Sequence, residues 1–426
     1  MELIVLFGAL AVLLALGVPV AFALGAASLA TFVFLDIPPI VAFQQMAAGM
    51  SAFSLLAIPF FVFTGELMTR SGIADRIVDV ATALFGRSRG GLGQVSVGAA
   101  MMFGSVSGSA VATVSAVGAT LIPKMKAEGY GADYAVNVMT CAAILGVLVP
   151  PSHNMILYAA SAGAGVSVVD LFLAGVIPAL ATGLALMIAA RWVAARRGYK
   201  AGVFPGWRAL ARALAGAAPG FMIIVIIFGG ILGGVFTPTE SSAIAVVYTA
   251  IVARLVYRAL GAAAFARAVA GAVQTTAMVM LIIGAAASFG WLLALTEFPQ
   301  TLANGMAALT DNPIATLLLI NLILLVLGTF MDMAPLIIIG TPIFLPVAMD
   351  AGMDPVQFGV VMLLNQGIGL VTPPVGSVQF VGCGIGKIRM EDAMRTIWPF
   401  YAALFAALML VTYVPAASLW LPGLLR

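Results

Sequence analysis

Oxygen-bearing side chains stand beside helix-breaking residues at four places inside the apolar sequence of this chain. Two of these breaks contain Gly108 and Pro150, and the other two contain Gly328 and Pro373. The residues near the first two are Ser105, Ser107, Gly108, Ser109, Pro150, Ser152 and Asn154; those near the last two are Gly328, Thr329, Asp332, Thr372, Pro373 and Ser377. Oxygens at an unwound helix are ligands for a small hard cation, and the N-terminus of a half-helix favours a carboxylate. The pattern predicts two cation sites with an anionic substrate between them.

The breaks recur at a nearly constant spacing. Gly104 and Gly328 are 224 residues apart, and Pro150 and Pro373 are 223 residues apart. Paired interruptions in two halves of a membrane protein are the best sequence indication of a transporter's binding site. Backbone that leaves the helix at membrane depth exposes polar groups at high cost, so it is tolerated only inside protein or beside a cavity. The spacing therefore favours a duplicated carrier with functional breaks.

The composition places the chain in a lipid bilayer. Of its 426 residues, 63% are hydrophobic and 8% are charged, and the mean hydropathy is +1.16. Many apolar runs reach the ~20 residues that a transmembrane helix needs, and they are continuous rather than alternating, which favours helices over a barrel. Two cysteines and His153 cannot build a disulfide framework or a metal cluster. We predict an all-α polytopic membrane protein with no nucleic-acid partner.

The distribution of basic residues predicts that the two halves are inverted. Lys and Arg mark cytoplasmic loops. The segment from Arg70 to Arg89 is basic, whereas its equivalent in the second half, Glu297 to Pro313, contains neither Lys nor Arg. The reverse holds for Lys387 to Arg395, which is basic, and its equivalent Ala164 to Phe172. Equivalent loops are therefore expected on opposite sides of the membrane, as in inverted repeats.

Tracing the chain under this constraint gives inverted repeats of about five transmembrane helices each plus two re-entrant helical hairpins. The first repeat covers residues 1–195, with a hairpin at about 93–122 and a broken helix at about 132–162. A cytoplasmic linker rich in Gly and Pro follows at 196–219. The second repeat covers residues 220–426, with a hairpin at about 314–346, a broken helix at about 356–386 and a final helix near Ile397 to Leu421. The expected total is ten crossings and two hairpins.

Several motifs together resemble the large membrane subunit of tripartite ATP-independent periplasmic (TRAP) transporters. Their joint order and spacing are more specific than any one of them, and the resemblance extends from about Met1 to the final helix. The motifs are Gly-Ser-Val-Ser-Gly-Ser-Ala from Gly104, Val149-Pro150-Pro151-Ser152, Phe236-Thr237-Pro238-Thr239-Glu240, Gly340-Thr341-Pro342 and Gly369-Leu370-Val371-Thr372-Pro373-Pro374-Val375-Gly376.

This resemblance implies a sodium-coupled importer of organic acids in the bacterial inner membrane, working by an elevator motion. It also implies two partners, a periplasmic substrate-binding protein and a separate small membrane subunit of about four helices. Sodium site 1 is then expected at Ser105, Ser107, Gly108, Ser109, Pro150, Ser152 and Asn154, and sodium site 2 at Gly328, Thr329, Asp332, Thr372 and Pro373. The residues expected to contact the substrate are Ser107, Ser109, Thr329 and Ser377. C4-dicarboxylates, sialic acid and 2-oxo acids all remain open as substrates.

Each of these residues also has a purely structural interpretation. Asp332 could hydrogen-bond within the fold instead of contacting sodium, and Ser107 and Ser109 could be small residues that allow close helix packing. Glu240 follows Thr237-Pro238-Thr239 and is expected to cap a helix. Glu66 stands at a helix end, where contact with the membrane interface or a nearby Arg is expected.

Two alternative classes of protein make different demands on the sequence. An intramembrane hydrolase would need paired acids or a serine with a basic partner, and the sequence offers neither a second buried Asp nor a Gly-x-Ser-x-Gly motif. The chain is therefore not expected to be an enzyme. A stand-alone sodium- or proton-coupled anion symporter of a related elevator family remains the alternative, and dependence on a periplasmic binding protein separates the two. His153 leaves proton coupling open.

Overall fold

The computed structural model describes residues 1–163, 165–202, 204–310 and 312–425, which form helices joined by short connections. In the first half the helices are α1 (Glu2–Ala15), α2 (Val20–Phe34), α3 (Ile40–Met50), α4 (Ala57–Thr69), α5 (Ile73–Phe85), α6 (Gly91–Ser107), α7 (Ala110–Ala127), α8 (Ala132–Ala143), α9 (Leu145–Leu148), α10 (His153–Ala162) and α11 (Val168–Arg196), with a 3₁₀ turn at Phe53–Leu56. In the second half they are α12 (Trp207–Leu232), α13 (Pro238–Ile251), which continues as a π-helix at Val252–Val256, α14 (Ala262–Leu295), α15 (Phe298–Leu309), α16 (Pro313–Phe330), α17 (Met333–Asp350), α18 (Pro355–Gly369), α19 (Ser377–Gly386), α20 (Met390–Met394), α21 (Trp398–Tyr413) and α22 (Ala416–Leu425). The prediction of an all-α fold is confirmed.

The same order of elements occurs in both halves, as expected of a repeat. Hairpin 1 consists of α6 and α7, and hairpin 2 consists of α16 and α17. Each hairpin is followed by a helix interrupted at a double proline and then by further helices. The predicted architecture of inverted repeats with two helical hairpins is thus the architecture of this protein.

The tips of the two hairpins are built from local capping signals. In tip 1 (Ser107–Ser109), α6 ends at Gly108, whose φ of +61° is a left-handed conformation that glycine adopts without strain. The backbone N–H of Ala112 donates to Oγ of Ser109 at 3.3 Å, so Ser109 is the N-cap of α7. In tip 2 (Thr329–Asp332), Asp332 is the N-cap of α17, and its Oδ1 accepts from Met333 N at 2.9 Å. Ser109 and Asp332 therefore occupy equivalent positions in the two hairpins.

The two double prolines end helices because proline lacks a backbone N–H and displaces the preceding residue from helical geometry. At break 1 (residues 149–152), Val149 is extended before Pro150, and the chain resumes as α10 at an angle of 50° to the preceding helix. Break 2 (residues 370–376) contains Pro373 and Pro374 and separates α18 from α19. The Pro150–Pro151 and Pro373–Pro374 peptide bonds are both cis.

Several element boundaries differ from those expected from the sequence. Hairpin 1 begins at Gly91 and ends at Ala127, beyond the expected range of 93–122. The expected linker at 196–219 is helical from Trp207 onward, because the stretch after Gly206 is rich in Ala, Leu and Arg, which are strong helix formers. The expected final helix is bent by 56° between α21 and α22, at a connection that contains Pro415.

The number of long helices is smaller than the expected ten crossings. Among the described residues, six helices are long and apolar enough to cross a membrane, or eight if each bent pair is one span. Two of the six are the arms of hairpin 2, α16 and α17. The difference arises because four expected crossings consist of short helices: α1, α2 and α4 have 14, 15 and 13 residues, and the second broken helix consists of α18 and α19 with 15 and 10. About 20 residues are needed to cross the hydrocarbon layer without bending or thinning it.

A buried polar network joins the two broken helices. Asn137 of α8 and Gln379 of α19 are both inaccessible to solvent, and Gln379 Nε2 donates to Asn137 Oδ1 at 3.0 Å. Thr140 Oγ1 donates to Gln379 Oε1 at 2.6 Å, and Asn137 Nδ2 donates to the carbonyl of Ala393 at 2.8 Å. Buried amides that are fully hydrogen-bonded fix the register of the helices that carry them. We call the hairpins and broken helices (α6–α10 and α16–α19) the hairpin assembly.

A second group of helices packs on one side of this assembly. We call α1–α4 and α12–α14 the scaffold helices: α14 packs on α2, α3 and α4, and α13 packs on α4. They meet the hairpin assembly through contacts of α14 with α17 and of α4 with α6 and α10. A close approach occurs where Gly65 of α4 faces tip 1, because a Cβ at Gly65 would lie 3.3 Å from the carbonyl oxygen of Ser107.

The connection between the repeats is attached to the hairpin assembly. Arg197 donates two hydrogen bonds to the carboxylate of Asp133, at 2.9 and 2.6 Å, and these bonds raise the pKa of Arg197 above its ordinary value. The backbone N–H of Gly131 donates to Tyr199 Oη at 2.9 Å. The start of the linker is therefore fixed to the beginning of α8.

Candidate functional site

A cavity of about 840 Å³ lies where both hairpin tips, both broken helices and three scaffold helices meet. The two hairpins contribute residues of their tips and of the first turns that follow them: Ser107, Ser109, Ala110, Val111, Ala112, Ser115, Asp332, Met333, Ala334 and Pro335. The broken helices contribute Val147, His153, Asn154 and Leu370. The scaffold helices contribute Pro19, Val20, Ala21, Phe22, Val62, Gly65, Glu66, Thr69, Arg70, Thr275, Met278, Val279, Leu281 and Ile282. Residues that are more than 200 positions apart in sequence thus line one space of the size of a small-molecule site.

Tip 1 brings several oxygen atoms close together. Ser107 Oγ and Thr113 Oγ1 are 3.2 Å apart, and Thr113 Oγ1 donates to the carbonyl of Ser109 at 2.7 Å. Asn154 Nδ2 approaches the carbonyl of Gly108 at 3.5 Å, which joins tip 1 to α10 across break 1. Gly108 fits tightly against this break, because a Cβ there would lie 3.2 Å from the carbonyl oxygen of Pro151.

Ser152 and Ser105, both predicted at sodium site 1, have different environments. Ser152 is fully buried, and its Oγ has no hydrogen-bond partner within the described residues. An unpaired buried hydroxyl is costly, so Ser152 is suited to a ligand that the protein does not itself provide. Ser105 Oγ, in contrast, donates to the carbonyl of Met102 at 2.7 Å within its own helix. Ser105 is therefore less available than the other serines of tip 1.

Tip 2 is in direct contact with break 2. The backbone N–H of Val375 donates to the carbonyl of Thr329 at 3.3 Å. Gly328 and Gly369 touch backbone to backbone: a Cβ on Gly369 would lie 2.6 Å from the carbonyl carbon of Gly328. Thr372 Oγ1 donates to the carbonyl of Ile368 at 2.7 Å, which leaves its lone pairs free to accept. The structure thus brings Gly328 and Thr329 against the two ends of break 2, at Gly369 and Val375.

Asp332 and Ser377 lie at the edges of this second set. Asp332 is exposed, lines the cavity, and already caps α17. Ser377 begins α19, and its Oγ is buried without a hydrogen-bond partner in the described part of the chain. The repeat spacing of 223 residues pairs Ser377 with Asn154 of the first half, and both residues lie in the first turn of the half-helix that follows a double proline.

The structure adds residues that the sequence alone did not single out. Thr113 contacts both Ser107 and Ser109, although it is one turn inside α7 and bears no motif. Gln366 of α18 is 1% exposed, and both polar atoms of its side chain lack partners among the described residues. A scan for oxygen-bearing residues one helical turn from each break would have included both.

The charges around the cavity come from three residues. Glu66 and Arg70 of α4 form an ion pair, with Arg70 Nη2 3.2 Å from Glu66 Oε2, as expected for a helix-end Glu with a nearby Arg. Asp332 is the third. The lining of the cavity thus carries two formal negative charges and one positive charge, all on residues outside the tightly packed breaks. The negative charge of an anion that enters this space must be balanced by bound cations or by Arg70.

Clusters suited to other metals are absent from the described residues, in which no three His, Cys, Asp or Glu side chains converge. Cys141 and Cys383 are both buried free thiols. The oxygens at the breaks are hydroxyls, amides and backbone carbonyls, which suit hard cations rather than zinc or copper.

A duplicated helical membrane protein with two hairpin tips and two broken helices around a largely apolar cavity that carries a few polar and charged groups belongs to the class of membrane transport proteins. The family model for the "Tripartite ATP-independent periplasmic transporter, DctM component" matches residues 7–417. The chain belongs to this family: it is a TRAP large permease, a multi-pass protein of the bacterial inner membrane and not an enzyme.

Similar proteins agree with this assignment. The chain is 42% identical over 426 residues to the "Uncharacterized protein YgiK" of Salmonella typhimurium, covering 99% of this chain and 97% of that protein. It is 39% identical to the "Isethionate TRAP transporter permease protein DctMQ" of Oleidesulfovibrio alaskensis, covering 98% of this chain and 66% of that protein. Its fold is similar to that of the Alcanivorax borkumensis YdaH transporter, with a TM-score of 0.61, 16% sequence identity and 87% of each chain covered.

Proposed function

We propose that this permease imports an organic acid by sodium symport and an elevator motion. It works with a separate small membrane subunit of about four helices and with a periplasmic substrate-binding protein. The observation that supports this most is the cavity in which both hairpin tips, both broken helices and the scaffold helices meet. Such a meeting point lets one substrate contact moving and fixed parts of the protein at once.

Two sodium ions are proposed at the contacts between each tip and its break. Site 1 uses the oxygens of tip 1 with Ser152 and Asn154, and the unpartnered Oγ of Ser152 supports a ligand there. Site 2 is proposed near Thr329 and Thr372: the carbonyl of Thr329 accepts from Val375 N of break 2, and the hydroxyl of Thr372 belongs to the same break. Backbone carbonyls and hydroxyls at broken helices are suitable sodium ligands in secondary transporters.

Sodium is proposed to bind before the substrate. The cavity lining carries an excess of negative charge from Glu66 and Asp332 over Arg70. A carboxylate would be repelled by these acids unless cations first occupy the nearby sites. Cation binding thus makes the entry of an anion favourable and couples the two solutes.

The state of the structure is proposed to be inward-open. The scaffold residues around the cavity come from the start of α2, the end of α4 and the middle of α14. Arg70 at the end of α4 and Arg267 near the start of α14 predict that these two helix ends lie toward the cytoplasm. Movement of the hairpin assembly relative to the scaffold would close this opening and expose the same site to the periplasm. The contacts of α14 with α17 and of α4 with α6 are where such sliding would occur.

The test is uptake into proteoliposomes that contain the permease with its small membrane subunit, with the binding protein added outside. The panel of labelled acids would be isethionate, succinate, sialic acid and a 2-oxo acid, each with an inward gradient of sodium or of potassium. Uptake of at least one acid that requires both sodium and the binding protein is expected. Uptake of an acid without the binding protein would favour the stand-alone symporter, and uptake driven equally well by potassium would rule out sodium coupling.

A further inference from the structure

The ion pair of Glu66 and Arg70 lies on the wall of the transport cavity, at the C-terminal end of scaffold helix α4. Among the described residues that line the cavity, Arg70 is the one Lys or Arg. Every other polar group proposed to hold the substrate belongs to the hairpin tips or to the broken helices. Arg70 is therefore a positive charge on the part of the protein that stays fixed while the tips move.

The pair is arranged so that Arg70 can exchange partners. Both of its contacts go to a single oxygen, Glu66 Oε2, with Nη2 at 3.2 Å and Nε at 3.4 Å. The parallel two-oxygen geometry of a strong Arg–carboxylate pair is thus not formed. The side chains of Arg70 and Glu66 are 35% and 30% exposed, and ion pairs of this kind within one helix are weak. A substrate carboxylate that offers two oxygens would compete well for the guanidinium.

Gly271 of α14, which has no side chain, leaves room for the carboxylate of Glu66. A Cβ at Gly271 would lie 2.9 Å from Glu66 Oε2 and 3.0 Å from Glu66 Cδ. The glycine thus leaves a recess between α4 and α14 in which the carboxylate of Glu66 rests beside Arg70. One residue before Glu66, Gly65 is the point at which α4 faces tip 1. The recess at Gly271 and the close approach at Gly65 together hold the Glu66–Arg70 pair beside tip 1.

We propose that Arg70 is a carboxylate-binding residue of the scaffold that receives the acid group of the substrate on the cytoplasmic side. The substrate exchanges its contacts with the hairpin tips for Arg70 after the hairpin assembly has moved inward. Glu66 then takes back the guanidinium as the substrate leaves. Glu66 is accordingly a positioning residue that weakens cytoplasmic binding and speeds release. This inference rests on the proposed function, since it assigns a step to the same cavity.

The experiment measures two quantities on the purified permease with its small membrane subunit. The first is the dissociation constant of the labelled acid that the wild type takes up, measured at saturating sodium without the binding protein. The second is the maximal uptake rate in proteoliposomes with the binding protein. Arg70→Gln is expected to raise the dissociation constant by at least about tenfold, which corresponds to the loss of one charge-assisted hydrogen bond. Its sodium activation curve should not change, because Arg70 is not a sodium ligand.

Glu66→Gln is expected to have the opposite effect on binding. Freed of its partner, Arg70 should hold the substrate more tightly, so the dissociation constant falls and the maximal uptake rate falls with it because release becomes slow. The double variant should bind more weakly than Glu66→Gln alone, because most of the affinity gained on removing Glu66 comes from the guanidinium of Arg70 that it frees. A merely structural pair would instead make both single variants change binding in the same direction.

The chain offers a matched control in the exposed pair of Arg389 and Asp392, which lies outside the cavity lining with Arg389 Nε 3.2 Å from Asp392 Oδ2. Arg389→Gln and Asp392→Asn remove the same charges and should leave binding and uptake unchanged. An unchanged dissociation constant in a folded Arg70→Gln variant would overturn the proposal. If that variant does not fold, the direction of the Glu66→Gln effect decides. Absence of sodium-dependent uptake by the wild type would instead count against the proposed function.

Discussion

Asp332 combines a structural contact with a position on the candidate site. It is the N-cap of α17, and it lies on the cavity beside tip 2. Its equivalent in the first half is Ser109, a neutral cap, so a charge is not required for capping in this fold. In the proposed sodium site 2, the negative charge of Asp332 has a second role beside its favourable interaction with the N-terminus of α17.

Replacing Asp332 by Asn keeps a side chain that caps helices well and removes the charge. We expect the sodium concentration for half-maximal uptake to rise by roughly tenfold or more, as the loss of a charge-assisted contact predicts, with little change in the thermal unfolding temperature. Asp332→Ala should add a capping loss of about 1 kcal/mol, visible in thermal unfolding. The measurement is uptake as a function of sodium concentration.

Asp354 provides the control for this change. It is an exposed N-cap of α18, accepts from Val356 N at 2.8 Å, and does not line the cavity. Asp354→Asn should leave the sodium activation curve unchanged. A curve for Asp332→Asn that overlaps that of the wild type would remove Asp332 from sodium site 2.

At the scale of elements, the contact between hairpin 2 and its broken helix depends on glycine. A Cβ on Gly369 would lie 2.6–2.9 Å from the backbone of Gly328, and backbone cannot turn aside as a flexible side chain can. The same closeness is what brings the carbonyl of Thr329 to Val375 N. Stability and the proposed sodium binding at site 2 therefore both depend on one helix crossing.

Gly369→Ala is expected to destabilise the protein by about 1–3 kcal/mol, the usual cost of overpacking a closely packed site. It should also weaken sodium activation, because α16 and α18 move apart. Thermal unfolding in detergent and sodium titration of uptake provide the two measurements. Gly384→Ala in α19 is the control, since a Cβ there meets nothing within 4 Å. Equal unfolding temperatures for both variants would contradict the close crossing.

Some of these elements could be predicted from the sequence and others could not. Gly108, Pro150 and Pro373 act through the backbone, so the tips and breaks could be located from single residues. The cap at Glu240 was also predictable, and Thr237 N donates to its Oε2 at 2.8 Å. In contrast, Thr113 and Gln366 carry no helix-breaking signal: Thr113 joins the site through contacts with Ser107 and Ser109, six and four residues away, and both polar atoms of Gln366 lack partners in the described part of the chain. The helical start at Trp207 was hidden by the Gly and Pro residues that precede it.

At the scale of the whole molecule, the inverted repeat makes the two halves cross the bilayer in opposite directions. Residues 88 and 310 follow equivalent amphipathic helices, α5 and α15, just before the two hairpins. The basic residues place the first position in the cytoplasm and the second in the periplasm. The native thiols Cys141 and Cys383 are buried, so a single introduced cysteine can be labelled in their presence.

Ser88→Cys should react with a membrane-impermeant thiol reagent only from the cytoplasmic side, and Thr310→Cys only from the periplasmic side. Intact cells and inverted membrane vesicles provide the two orientations. Each variant must first retain sodium-dependent uptake, so that its labelling reports the native fold. Labelling of both positions from the same compartment would contradict the inversion and, with it, the shared site.

The proposed inward-open state makes a separate prediction about the cavity itself. Ser115 lines the cavity on α7, on the side of tip 1 that leads toward the last turn of this helix, where Lys124 predicts a cytoplasmic position. A cysteine at this position should react from the cytoplasmic side in the resting protein, because the opening between α4 and the hairpin assembly admits the reagent. Sodium together with the substrate-loaded binding protein should slow this reaction if the hairpin assembly moves away from the cytoplasm during transport. An equal reaction rate with and without these additions would show that the assembly does not change its exposure, and a fixed pathway would then replace the elevator.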